Sequence, residues 1–459
     1  MKYDLVIENG TLVTATDTFQ ASIGIRDGQI AAIGQDLSAD QVVDAAGLLV
    51  LPGFIDPHVH LDMPTPAGNS SDDWFTGTRA AAFGGTTTVI DFVEAEREET
   101  LLHALDARRN LAASQAVIDF TFHMTLDRTN DNTLAEIPAV IAAGLTSFKC
   151  YTTYAMRLDD AQLLSALKVV GNAGGLTIVH SENDAIVNRL RADFLAVGKT
   201  EPRYHPLSRP AESEGEAVER VLALAQVAGA PVLIVHVSTR LGVEAIQRAQ
   251  SRGQAAYGET CPQYLLLTDE AYSAPGFEGA KFICSPPLRK ADDQNALWKV
   301  LADGSFRVLG TDHCPFFYHG TKNLGRPLDD LPPFTQIPGG IPGIEARPSL
   351  LYTYGVRTGR LSLNRWVDFC STGPAQTYKL YPRKGALVTG ADADIVLFDP
   401  HKPVKLSTAF LHENVDYTPY EGFELSGWPV KVFSRGQLII DHGEYVGAAP
   451  RGQFIPRKI

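Results

Sequence analysis

Leu51–Pro64 reads LPGFIDPHVHLDMP, an apolar run that ends in two histidines, His58 and His60, flanked by Asp56 and Asp62. Strand side chains repeat their direction every second residue, so both rings point into one place where the run ends. An isolated His-x-His marks no more than a strand leaving a core. Its meaning depends on how the other apolar runs of the chain end.

Short apolar runs recur between residues 51 and 375: LLVLPGFID, GTTTVIDF, AVIDFTFH, LTSFK, LTIVH, PVLIVH, QAAYGE and FRVLGTD. Longer helical patterns separate them, such as DDAQLLSALKVVGNAGG and GEAVERVLALAQVAGA. Alternating β and α patterns imply a parallel sheet, and eight such units predict a (β/α)8 barrel over 51–375. Residues 3–50 and the far end read instead as short strands with glycine turns. Asn9-Gly10 and Asp27-Gly28 are both hairpin signals. The segments 1–50 and 376–459 are expected to pack together as one small β-sandwich domain bracketing the barrel. The Pro/Gly-rich stretch 313–346 is expected to be a long loop over the active site.

The run ends carry the chemistry. The fourth run reaches Lys149, the fifth ends at His180, the sixth at His236, the seventh at Glu259 and the eighth at Asp312. Strand ends gather at the C-terminal face of a barrel, where barrel active sites form. Four imidazoles, an aspartate and a lysine converging there, buried without partners, cost several kcal/mol together. A metal centre removes that cost, and neutral histidine with carboxylate suits zinc and similar divalent ions. His58, His60 and Asp312 can hold one ion, and His180 with His236 a second. A bridge is then missing. The Lys149 amine, made neutral by desolvation and nearby positive charge, can capture CO2, and the resulting carbamate is long enough to reach both ions.

Composition excludes other classes. Forty basic residues against 53 acidic ones give a net charge of −13, which argues against nucleic-acid or anionic-membrane partners. Five cysteines without a Cys-x-x-Cys pair make a disulfide framework or thiolate zinc site improbable. The opening MKYDLVIENG lacks the long apolar core of a signal peptide, and no segment is long and apolar enough for a bilayer, so a cytoplasmic protein is expected. Asp72 and Asp73 read as helix caps, and Cys314 as loop filler.

Taken together, GFIDPHVHLDMP, SDDWFTGTRAAAFGGTTTVIDF, GLTSFKCYTTY, VHSEND, IVHVS, ETCPQYLLL, SPPLR, GTDHCPF and KGALVTGADADIVLFDP resemble the dihydropyrimidinase/hydantoinase branch of the amidohydrolase superfamily, over nearly the whole chain. The likeness is greatest to bacterial phenylhydantoinases and D-hydantoinases. The resemblance implies a barrel with a β-sandwich and a binuclear centre of zinc, manganese or cobalt. His58 and His60 then hold the more buried ion and His180 and His236 the other. Lys149 is implied to be carboxylated and bridging, and Asp312 to be both ligand and acid/base. Tyr154 matches the tyrosine that contacts the substrate carbonyl, and Ser285 a main-chain substrate contact. The family usually has Asn-Gly where this chain reads Gly339-Gly340; the contact at Gly339 is expected through main-chain atoms. Glu259 is read as a supporting group and not a ligand.

The implied reaction is attack of a metal-bridging hydroxide on the carbonyl of a cyclic amide, opening the ring to an N-carbamoyl amino acid. A homotetramer is implied by the resemblance alone. Dihydroorotase and allantoinase share this logic. Asp62, where dihydroorotases typically carry an arginine, is expected to repel a substrate carboxylate. A non-catalytic scaffold related to dihydropyrimidinase is the alternative from another class. Tyr151, Thr152, Met156, Met63 and Thr65 are the expected walls for the ring substituent.

Overall fold

The computed structural model describes residues 2–327 and 329–459. Each of the eight apolar runs yields a barrel strand: Phe54–Asp56, Thr86–Val93, Asp119–Thr125, Ser147–Tyr151, Leu176–His180, Val232–Ile234, Ala256–Thr260 and Val308–Leu309. They pair in chain order, all in parallel, with helices between them. Closure between the last strand and the first is made just beyond their ends, by a parallel bridge between Val59 and His313. There the Asp312 N–H donates to His58 O (2.9 Å) and the His60 N–H to His313 O (2.8 Å). The backbone of three site residues thus seals the barrel at its C-terminal face.

The first run behaves differently from its reading as one barrel strand. Leu49–Pro52 pairs antiparallel with Ile395–Lys405 in the terminal sheet, and only Phe54–Asp56 enters the barrel. Gly53 makes the switch possible, because a Cβ there would stand 2.1 Å from Thr87 Oγ1. A continuous apolar run cannot show which of two sheets each half joins.

The chain ends form two packed sheets. One holds Tyr3–Glu8, Ser22–Arg26, Gln29–Gly34 and Ala39–Asp44. The other is seven-stranded and contains Thr11–Val13, Thr18–Gln20, Leu49–Pro52 and the C-terminal strands from Ile395 onward. Ile7, Ile23 and Ile25 from the first face Val50, Ile395 and Leu397 from the second in one apolar core. Asp27-Gly28 makes the expected two-residue hairpin, with Arg26 opposite Gln29 and both turn residues at positive φ. Asn9-Gly10 does not. It is a corner at which the chain leaves one sheet for the other, and Asn9 Nδ2 bonds Asp44 instead (2.9 Å).

A buried ionic cluster ties the two parts together. Lys384 Nζ lies 2.6 Å from Asp119, which opens the third barrel strand, and 2.7 Å from Asp394, beside the terminal sheet. Asp392 (3.0 Å to Lys384) and Arg435 (2.6 Å to Asp119) complete it. Burial alone would discharge Lys384, but Asp394 and Asp119 outweigh it and raise its hold on the proton. Lys384→Ala leaves several carboxylates buried with one cation fewer. It is expected to destabilise the fold by about 3–5 kcal/mol, read as a lowered denaturant midpoint at neutral pH.

Candidate active site

The sequence places each site side chain through strand alternation. Along Ser147–Tyr151, Cys150 joins the apolar layer between barrel and helices, which turns Lys149 to the interior. His180 closes the fifth strand, His236 follows the sixth by two residues, and Asp312 follows the eighth by three. His236 (φ 40°), Asp312 (φ 55°) and Tyr154 (φ 72°) all stand in left-handed backbone. Each such residue costs about 1–3 kcal/mol, a cost that persists where surrounding structure fixes a side chain for a task.

The rings converge. Centroid separations are 5.3 Å for His58 and His60, 5.5 Å for His58 and His236, and 4.5 Å for His180 and His236. Asp312 Oδ1 is 3.3 Å from His58 Nε2 and 3.2 Å from His60 Nε2. His58, His60 and Asp312 each offer a ligand atom, all within 4.8 Å of one another. Lys149 Nζ sits between the faces of Phe92 and Tyr151, about 5 Å from each ring centre.

Burial controls the charges. It pushes His58 and His236 well below the ordinary imidazole value, aided at His58 by the Lys149 charge and at His236 by His180. His180 is lowered too, by burial against the pull of Glu182. Burial therefore favours the neutral form of these imidazoles, the form that offers a lone pair to a ligand. Burial brings the Lys149 amine down to about 8, with Asp312 and Glu259 opposing. At Asp312 burial works upward, but His58, His60 and Lys149 hold the carboxyl at about 2.

A second layer orients the first. Glu259 Oε1 bonds His58 Nδ1 at 2.7 Å, the supporting part read for it from the sequence, and also accepts from the His236 N–H at 3.3 Å. His58 Nε2 is then left buried without a hydrogen-bond partner, in the middle of the cluster. A buried lone pair with no donor is costly, and a divalent cation is the partner this donor set fits. Glu182 does the same for His180, bonding Nε2 at 2.8 Å, and is itself gripped by Arg209. The Arg209 guanidinium lies 5.3 Å from the centre of the Tyr154 ring, so Tyr154 and His180 share one buried support. Glu182 and Arg209 were missed in the sequence. Glu182 was findable as an acid two residues after a strand-end histidine; Arg209 has no local signal.

A cavity of about 640 Å³ opens on the cluster. Tyr154, Ser285 and Gly339 line it with the histidines, Lys149 and Asp312. Of the expected substituent walls, Tyr151, Met156, Met63 and Thr65 are present, and Phe316 and Phe334 add to them. Thr152 is not, because its hydroxyl donates to Glu182 O at 2.8 Å. Asp62 does not line the cavity either; it accepts from Asn69 Nδ2 (2.7 Å), so it cannot be what repels an anionic substrate. Glu94 lines the wall as well as Asp312, and burial raises its carboxyl above the ordinary range. The cationic wall groups Arg191 and Arg209 are engaged by Thr335 O and Glu182.

Neighbouring polar residues have other tasks. Asp73 caps the helix Trp74–Phe83, as expected, but Asp72 does not cap it. Asp72 accepts from His313 Nε2 (3.1 Å) and from the Asn414 N–H (2.9 Å), while His313 Nδ1 accepts from the Gly343 N–H. Burial holds Cys314 as a thiol, and all five cysteines are free. Among the described residues no helix is long and apolar enough to cross a membrane.

The family model described as "Amidohydrolase family" matches residues 49–439. The chain is 44% identical to a D-hydantoinase of Geobacillus stearothermophilus over 457 residues, 98% of this chain and 96% of that one. It is 42% identical to a D-phenylhydantoinase of Escherichia coli O1:K1 / APEC over 459 residues, covering 99% and 98%. The crystal structure of a dihydropyrimidinase from Brevibacillus agri superposes with a TM-score of 0.96 at 44% identity, covering 100% of this chain and 99% of that one.

Proposed function

Because the chain belongs to the hydantoinase branch of the amidohydrolase family, we propose that it is a hydrolase opening hydantoin and dihydropyrimidine rings at the cyclic amide C–N bond, with N-carbamoyl amino acids as products. The observation that carries the reading is the convergence of four buried imidazoles, Lys149 and Asp312 on one cavity, with His58 Nε2 left without a hydrogen-bond partner.

In this reading His58, His60 and Asp312 would hold one divalent ion and His180 and His236 a second. Zinc suits the donor set, with manganese and cobalt as alternatives. Lys149 supplies the bridge. Its neutral amine nitrogen would bond the carbon of CO2 and release a proton, leaving a carbamate that would add an anionic oxygen donor to the site. When bound, the ions lower the pKa of water towards about 7 and polarise a carbonyl. The protein groups do the rest. Main-chain atoms at Ser285 and Gly339 hold the ring. The Tyr154 hydroxyl donates to the carbonyl oxygen as it gains charge, its ring backed by Arg209. The Asp312 carboxylate takes the proton from the attacking water and returns it to the departing ring nitrogen, so the C–N bond breaks without releasing an amide anion.

A substrate panel tests the reading: hydantoin, 5-phenylhydantoin, dihydrouracil, allantoin and dihydroorotate, each with metal-loaded protein. Hydantoin and dihydrouracil are expected to open. Phe316, Phe334 and the methionines favour the phenyl-substituted ring over dihydrouracil, and a clear preference for dihydrouracil refutes that part. Dihydroorotate is expected to be poor, because the arginines on the cavity wall, Arg191 and Arg209, are already engaged by Thr335 O and Glu182 and leave its carboxylate no free clamp. Turnover confined to allantoin or dihydroorotate overturns the assignment. Absence of turnover and of bound metal after growth with zinc or manganese favours the scaffold alternative.

A further inference from the structure

Lys322 lies in the long loop, just after a kink at His319 and Gly320, and it is fully buried. Among the described residues no carboxylate lies within ion-pairing distance of it. Cys284 and Cys314, which act on it electrostatically, are thiols that burial pushes upward, so they bring no counter-charge; the Tyr417 ring centre lies 5.9 Å from its nitrogen. Burial draws the amine itself down to about 7. An apolar side chain of the same length would be the cheaper occupant of this place. What lysine does there is donate twice, to Pro338 O at 3.2 Å and to Ile283 O at 3.4 Å.

Those two carbonyls belong to the two edges of the slot in which the ring is held. Ile283, Ser285, Pro338 and Gly339 all line the cavity, and the Gly340 N–H donates to the same Ile283 O at 2.9 Å. His205 Nε2 fixes the next carbonyl, Cys284 O, at 2.7 Å. The 283–286 edge is therefore anchored independently. The Lys322 side chain ties Pro338 O, and it joins both edges through one nitrogen. We propose that Lys322 is a positioning residue that clamps the main-chain edges at 283–286 and 338–340 to the separation the substrate ring requires. This rests on the ring-opening reading above for the identity of the ligand, but the clamp itself is a property of the chain.

Two measurements test it on the full-length protein. In the first, hydrogen exchange is followed by mass spectrometry in the parent and in Lys322→Met. Peptides covering 334–342 are expected to exchange about tenfold faster in the variant, with distant barrel strands unchanged and the melting temperature equal or higher. Unchanged exchange at 334–342 overturns the clamp, whatever the protein's substrate is. In the second, steady-state kinetics on a ring that the parent opens are expected to show KM raised about tenfold and kcat within about twofold, because the clamp acts alike on bound substrate and transition state. An unchanged KM overturns the link to substrate. Lys322→Gln, which keeps an amide donor on a shorter stem, is expected to fall between parent and Lys322→Met. It carries both tests if the methionine variant does not fold. A parent that opens no cyclic amide sinks the functional reading but leaves the exchange test intact.

Discussion

Lys149→Ala is expected to lose bound metal and ring-opening activity together. Lys149 is fully interior, and the cations proposed beside it would repel an ammonium, so its place is explained only if the nitrogen loses its charge or reverses it. Burial has already brought the amine down to about 8, and the flanking Phe92 and Tyr151 rings shield it from water. The proposed carbamate would change the local charge from positive to negative and supply a ligand that His180 and His236 lack by themselves. Alanine removes it. A site of two neutral imidazoles binds a divalent ion weakly, and the several kcal/mol of charge stabilisation expected from the pair is lost. At 1.36 kcal/mol per tenfold, the rate falls by about a thousandfold or more. Elemental analysis of the purified variant alongside kcat checks this. Full metal content with a normal rate removes Lys149 from the mechanism. In the parent, the intact mass of the native protein, or of a crosslinked digest kept near neutral pH, is expected to carry the added CO2.

Asp312→Asn separates chemistry from binding. Asp312 reaches both His58 and His60 and lies on the cavity wall where the ring must sit. Asparagine keeps the shape and an oxygen donor but can neither take nor return a proton. General acid–base catalysis is worth about 10²–10⁴ in rate, so kcat is expected to drop by about 10³ with KM within about threefold. Metal content is measured in parallel and the assay is run with excess ion, so that loss of ligation is not mistaken for loss of proton transfer. A rate near that of the parent assigns the proton to another group.

Much of this molecule was legible from its residues because strands announce themselves by composition and end on polar groups. The eight runs became eight strands, and the residues at their ends meet at one face for the reason that parallel strands all end on the same side. Alternation turned Lys149 inward and Cys150 outward, and Glu259 was readable as a supporting group, though not as the partner of His58. What failed to read were contacts whose partners are far apart in the chain. The split of Leu49–Asp56 between two sheets depends on Thr87 crowding Gly53. Asp72 gave up a helix cap for His313 and Asn414. Asp62 carries its charge on the Asn69 side, and Glu94 lines the wall as well as Asp312.

Periodicity and residue type therefore determined the architecture and the identity of the converging groups, since both follow from local backbone geometry repeated along the chain. Which nitrogen of His58 is free, how Arg209 joins Tyr154 to the support of His180, and why Lys322 is buried between two carbonyls were decided only in three dimensions. Hydrogen bonds between segments brought together by folding have a direction and a length but no signature in sequence spacing.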